Sequence, residues 1–247
     1  RCRHVHVNHW MWGGGGGGGG DNVDVDLCLS VSCINYVSDQ AEYLAQDGLN
    51  NIDAANANLA SATGENIRIA VVDSGIDSSH TEFNQRTILG SDFASSSGGY
   101  GTDDHGHGTH VAGIIAAQKN NYGMRGVAYA AQLYSYRVAN DAGSLTALNT
   151  DAGRASVYQQ HVSDNIQISN NSWGSSTNIL NYDEATLRTT DASSIAAMRS
   201  AQENGTIFVF AANNDYQDQV SKEAGVPYYI NELAAQFLAV MAIDTDL

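Results

Sequence analysis

Three segments place ionisable and amide side chains beside glycine or alanine: AVVDSGIDSSHTEF at 70–83, DDHGHGTHVAG at 103–113 and FVFAANND at 208–215. Between them they offer a carboxylate (Asp73), imidazoles (His105, His107, His110) and carboxamides (Asn213, Asn214). Acyl transfer uses these groups. A hydroxyl is a poor nucleophile until an imidazole removes its proton, and a carboxylate on the other ring nitrogen must hold that imidazole in one tautomer. A carboxamide N–H can stabilise the oxygen that becomes negative in the tetrahedral intermediate. Taken singly, an aspartate after a strand is most often a turn former or helix cap, and a lone histidine is more often structural. The conjunction of all three types in order, at the ends of apolar runs, points to a site. A metal hydrolase built on Asp73, His107 and nearby acids is poorly served, because no HExxH or comparable ligand spacing occurs.

The elements that must position these groups are readable from the apolar pattern. Ile67 to Val72, the run IRIAVV, has the β-branched density of a buried parallel strand and stops at Asp73-Ser74-Gly75. His107 to Gln118 has helix character after a glycine-rich lead-in, Gln132 to Val138 reads as a strand, and a helix follows in 145–161. NIQISNNSWG (165–174) is a strand running into a loop. SSIAAMRSAQEN (193–204) is a helix stopped by Gly205, and TIFVFAA (206–212) is another buried strand. Between Gln40 and Ala60, the apolar positions Tyr43, Leu44, Leu49, Ile52 and Ala55 predict helical stretches broken near Gly48. Strands alternating with helices predict an α/β fold, a three-layer sandwich with a mostly parallel sheet flanked by helices. Ligands then gather at the carboxyl ends of the strands.

Composition sets the outer bounds. Eleven Lys and Arg against 27 Asp and Glu give a formal charge of −16, which argues against nucleic acid and anionic membrane as partners, since phosphates are held by cations. Apolar residues at 43% and charged residues at 15% fit a chain that builds a core. Cys2, Cys28 and Cys33 are too few for a disulfide framework or a zinc site, although the spacing of Cys28 and Cys33 allows one bridge. No run of about 18 apolar residues is present. Gly13 to Gly20 is an unbroken glycine tract, a flexible tether. It separates an unexplained segment, 1–12, from an extension at 21–39 and a main domain at 40–247. The first segment holds His4, His6 and His9, metal-ligating types, but neither an initiating Met nor a signal-peptide stretch, and both chain ends read as cut.

D-S-G at 73–75, H-G-T-H-V-A-G at 107–113 and A-A-x-N at 211–214 together resemble the motifs of the subtilisin-like serine proteases, in that family's order. The resemblance covers roughly four-fifths of the chain, from about Glu42 to Ala242. It implies that His107 is the general base, Asp73 its orienting carboxylate and Asn214 the oxyanion donor, with Gly106 and Gly108 permitting close approach. His105 and His110 read as supporting residues. It also implies that Ser172, Trp173 and Gly174 line one side of the primary specificity pocket and Ala211 and Ala212 the other, for a polypeptide bound as an added strand. Trp173 reads equally well as a core aromatic. Asn213 stands where the family has glycine, which leaves both asparagines eligible, and Tyr129 stands where proline is usual. Glu82 and the loop NNYGMRG (120–126) resemble elements of a family calcium site, so the resemblance admits calcium as a structural ion and requires no cofactor.

The family's G-T-S serine motif does not occur, and the sole proline, Pro227, lies in a stretch resembling the one before the serine helix. The serine is therefore expected beyond Leu247, and this fragment alone is expected to be inactive. The glycine tract and the segment from Glu42 to Asp77 are most similar to bacterial autotransporter subtilases. That similarity implies a secreted or cell-surface protein, with outer-membrane attachment through a missing C-terminal region. Two functions follow: a serine-type endopeptidase, or a catalytically inactive module that grips peptides in the same cleft.

Overall fold

The structure, a computed structural model, describes residues 3–6, 24–27, 42–43, 46–52, 54–84, 86–94, 97–212 and 220–241. The glycine tract, all three cysteines and both Asn213 and Asn214 lie outside the described residues. Near the start, β1 (Arg3–His6) and β2 (Asp24–Leu27) pair antiparallel across the glycines. The main sheet holds β3 (Arg68–Asp73), β4 (Leu89–Asp92), β5 (Gln132–Arg137), β6 (Ile168–Asn171), β7 (Ile207–Ala211) and β8 (Phe237–Val240). Its order is β4-β5-β3-β6-β7-β8 and every neighbouring pair is parallel.

The apolar run of β3 is continuous because the strand is buried on both faces. Ala70 and Val72 join one core and Ile69 and Val71 the other. On the first face the helices are α4 (Asp151–Ser163) and α6 (Ala192–Glu203), whose Tyr158 and Met198 share a core with Tyr136, Phe208 and Phe210. On the second face α3 (His107–Ala116) packs Ala112 and Ala116 with Ile76, Phe83 and Leu133. The remaining helices are α1 (Asp47–Asn51), α2 (Ala54–Leu59), α5 (Glu184–Thr190) and α7 (Lys222–Tyr229). The molecule is thus an α/β sandwich with helices on both sides of a parallel sheet.

Local chemistry sets the boundaries. Thr150 accepts the amide of Gly153 and so starts α4 at Asp151, later than the predicted 145; a short 3-10 turn, Thr146–Leu148, precedes it. Gly205, with φ of 99°, ends α6 as predicted, its amide and that of Thr206 returning to Gln202 and Ala201. The predicted break near Gly48 falls at Gln46, which lies between the helical Glu42 and Tyr43 and the start of α1, and a second interruption follows Asn51. Gly48 is only the second residue of α1, in the first turn, where the helix-interior penalty on glycine is not yet felt in full. No helix among the described residues is long and apolar enough to cross a membrane.

Candidate active site

Strand β3 ends on Asp73, and α3 begins on His107, so sheet and helix deliver a carboxylate and an imidazole to one place. His107 Nδ1 lies 2.7 Å from Asp73 Oδ1. The carboxylate can only accept, so Nδ1 carries the proton and Nε2 is left as the basic nitrogen. Asp73 is 4% exposed, whereas the His107 side chain keeps 46% of its surface in solvent. The acid is enclosed and the base is reachable. Asp73 Oδ1 also accepts the Ser74 amide at 2.8 Å, and Oδ2 is buried with no hydrogen-bond partner among the described residues. Burial raises the carboxyl's pKa, and the bonds from His107 and Ser74 only partly oppose it.

Two glycines make the approach feasible. Gly106 caps α3 in the left-handed region at φ of 86°. A Cβ on Gly108 would lie 2.2 Å from the Gly75 carbonyl oxygen and 3.1 Å from Asp73 Cβ. The helix can therefore start against the strand end only with glycine after His107.

Asp103, which the sequence did not single out, organises this start. Its Oδ1 accepts from Ser74 Oγ at 2.8 Å, Gly106 N at 2.9 Å and His105 N at 3.2 Å; its Oδ2 accepts from Thr109 N at 2.8 Å and Thr109 Oγ1 at 2.7 Å. Ser74 Oγ in turn accepts from Gly108 N at 2.9 Å. Burial pulls the Asp103 pKa up, but the bonds from Thr109, Ser74 and Gly106 outweigh it and leave the carboxyl below its ordinary value. No capping spacing marked it in the sequence: Thr109 lies inside α3, and the residue at the helix cap, Gly106, has no side chain. His105 sits beside His107 with ring centroids 6.2 Å apart, and His110 is exposed on the same helix.

The predicted pocket residues stand at the ends of two adjacent strands, β6 and β7, paired through Asn171 and Phe210. Ser172 and Trp173 are half-buried, Gly174 is exposed, Ala211 is half-buried and Ala212 is buried. Ser172 Oγ accepts from Asn170 Nδ2 at 2.9 Å. The Trp173 ring packs edge-on against Phe210 at 5.5 Å and joins the core, while its Nε1 is buried without a hydrogen-bond partner among the described residues. A Cβ on Gly174 would meet Ser221 Oγ at 2.9 Å and the Ala211 carbonyl oxygen at 3.9 Å, so the segments following β6 and β7 approach each other there. The prediction for Asn214 falls outside the described residues.

Away from the pair, the loop after α3 is clasped by two buried carboxylates. Glu42 Oε1 accepts the amides of Asn120 at 3.0 Å and Tyr122 at 2.7 Å, and Glu82 Oε1 accepts the amide of Met124 at 3.0 Å. Glu42 is 2% and Glu82 7% exposed, and the Oε2 of each has no hydrogen-bond partner among the described residues. The two unpaired carboxylate oxygens are of the type a hard cation takes, although no group of three or more His, Cys, Asp or Glu that could hold a metal occurs among the described residues. Nearby, Arg125 lies over the rings of Tyr43 at 5.1 Å and Tyr129 at 5.6 Å, giving the tyrosine in the proline position a packing role.

A parallel sheet between helical layers, with a buried acid ending the central strand and a base opening the facing helix, defines the subtilisin-like class of α/β proteins. The chain belongs to the Subtilase family, whose model matches residues 64–246. It is 44% identical over 97 residues to Subtilisin E of Bacillus subtilis (strain 168), a stretch that is 39% of this chain and 25% of that protein. It is 31% identical over 196 residues to the Major intracellular serine protease of the same strain, covering 76% of this chain and 56% of that protein. The solved structure of Sphericase matches with a TM-score of 0.56 and 26% identity, over 75% of this chain and 56% of that one. The matched stretch thus spans only a quarter of Subtilisin E and little more than half of the other two.

Proposed function

We propose that this chain supplies the acid–base machinery and peptide cleft of a subtilisin-type serine endopeptidase. The observation that supports this most is the 2.7 Å contact from His107 to a buried Asp73, with the imidazole itself open to solvent. In this reading His107 Nε2 takes the proton of a serine hydroxyl as its oxygen attacks the scissile carbonyl carbon. Asp73 stabilises the imidazolium that forms, and the carboxamide of Asn214 donates to the carbonyl oxygen as it turns negative. His107 then returns the proton to the departing amine, and water releases the acyl group by the same route in reverse. The nucleophile is a G-T-S serine, a motif these 247 residues do not contain. Ser74 and Ser172 are otherwise engaged, with Asp103 and Asn170. The substrates are polypeptides, cleaved by a secreted or cell-surface enzyme, and Glu42, Glu82 and the loop at 120–124 hold calcium as a structural ion.

The test is turnover of an unfolded polypeptide by this chain extended with a G-T-S segment. Cleavage is expected, and His107→Ala should reduce it by about 10⁶, the loss known for the histidine of subtilisin itself. Asn214→Ala should cost about 10²–10³, likewise the figure known for subtilisin's oxyanion asparagine. Peptide binding without cleavage in the extended chain would instead make it the inactive peptide-gripping module.

A further inference from the structure

Arg137 ends β5 opposite Asp73 in the β3–β5 register, and at 1% exposed it is the largest of the fully buried side chains described. A buried guanidinium is costly unless its N–H groups are all paired. Here they are shared between two segments of chain. Nε donates to the Ala139 carbonyl at 3.2 Å, and Nη1 donates to the Thr102 carbonyl at 3.1 Å, to Thr102 Oγ1 and to the Gly99 carbonyl at 3.4 Å. Nη2 reaches Asp104 Oδ2 at 3.0 Å and Asp141 Oδ1 at 2.9 Å. The first segment, 99–104, leads into α3; the second, 139–141, follows β5.

The first segment is also what holds the candidate pair. The Thr102 carbonyl oxygen packs against Gly75, where a Cβ would come within 2.1 Å of it. The next residue, Asp103, ties Ser74 to the first turn of α3. We propose that Arg137 is a positioning residue for the Asp73–His107 pair: its planar fork fixes 99–104, and so sets where Asp103 can anchor the helix that begins on His107. Arg137 makes no hydrogen bond to either member of the pair among those described. Lysine cannot replace it, since an ammonium on one stem cannot address carbonyls and carboxylates of two segments in the same plane. This inference rests on reading Asp73 and His107 as acid and base.

The experiment is proton NMR of this chain at low temperature, following the low-field resonance of a His107 Nδ1 proton bonded to Asp73. The wild type should show it. Arg137→Lys should lose it while near-ultraviolet circular dichroism and a cooperative thermal transition show the variant still folded. A folded Arg137→Lys protein that retains the resonance would overturn the role of Arg137 and leave the pair intact. Absence of the resonance in the wild type would instead overturn the acid–base reading itself. Should Arg137→Lys fail to fold, Asp104→Asn and Asp141→Asn each remove one arm from the half-exposed side. Faster solvent exchange of the Nδ1 proton in these variants supports the proposal, and unchanged exchange in both refutes it.

Discussion

Gly108 carries no Cβ, and none would fit: the nearest atom, the Gly75 carbonyl oxygen, belongs to backbone anchored at the end of the central strand. Gly108→Ala should therefore push α3 away from Asp73 and not simply displace a flexible side chain. The expected cost is about 1–3 kcal/mol of stability, as for other overpacked sites. A denaturant titration reads that cost, and loss of the low-field His107 proton reads the separation. Equal stability and an unchanged resonance would show that the turn can yield. This glycine was legible in the sequence because it adjoins the base it serves. Asp103 and Arg137 were not, because their roles exist only in the fold. Arg137 closes QLYSYR as any strand-ending cation does, and nothing in that run reveals that its guanidinium is enclosed by segments 99–104 and 139–141. Trp173 stayed open between pocket and core for a related reason: its place at a strand end was readable, but the direction of its ring depends on Phe210 across the sheet.

At the scale of elements, the central strands could be read because burial on both faces forces a continuous β-branched run, as in Ile69 to Val72. The stretch after Val220 could not. Its apolar density is shared between α7, which tolerates Pro227 in its interior, and β8, whose residues remain largely exposed at the sheet edge. Only pairing with β7 makes Phe237–Val240 a strand. The loop at 120–124 is likewise defined by what grips it, Glu42 before the sheet and Glu82 after β3. Calcium at about a hundredfold excess over its Kd should stabilise the chain by about 2.7 kcal/mol, through binding to the folded state alone. For a chain of this size that corresponds to a rise of about 5–10 °C in Tm, measured by differential scanning calorimetry with and without chelator. Glu82→Gln should remove the calcium-dependent increment. An increment that survives the substitution would place the ion elsewhere.

Across the whole molecule, acid should act through one buried imidazole as well as through the carboxylates that make the formal charge −16. His161 on α4 is 0% exposed, walled by the rings of Tyr136, Tyr158 and Phe208, and it joins the helical layer to the sheet. The Val157 carbonyl, 2.8 Å from Nδ1, can only accept, so Nδ1 is the protonated nitrogen. Nε2 then accepts from Ser169 Oγ at 2.7 Å. Both ring nitrogens are satisfied with the imidazole neutral, and a second proton would force the Ser169 hydroxyl to turn from donor to acceptor and would bury a charge. Burial accordingly lowers the His161 pKa to about 4; the Val157 carbonyl and the charge of Asp164 oppose this without reversing it. The unfolded chain takes up its proton near the ordinary value of about 6.5, so it binds more protons than the folded chain between these two values. Stability from this residue is complete above about pH 6.5, falls as pH drops towards 4, and changes no further below that. The total at stake is about 3 kcal/mol. Urea unfolding of the wild type and of His161→Gln at about pH 7.5 and about pH 4.5 isolates it, because the carboxylates titrate alike in both proteins. His161→Gln should be less stable at the higher pH, through imperfect packing, yet lose about 2–3 kcal/mol less on acidification. Equal losses in the two proteins would mean that the imidazole admits its proton without unfolding, and that α4 can part from β6 while the sheet stays whole.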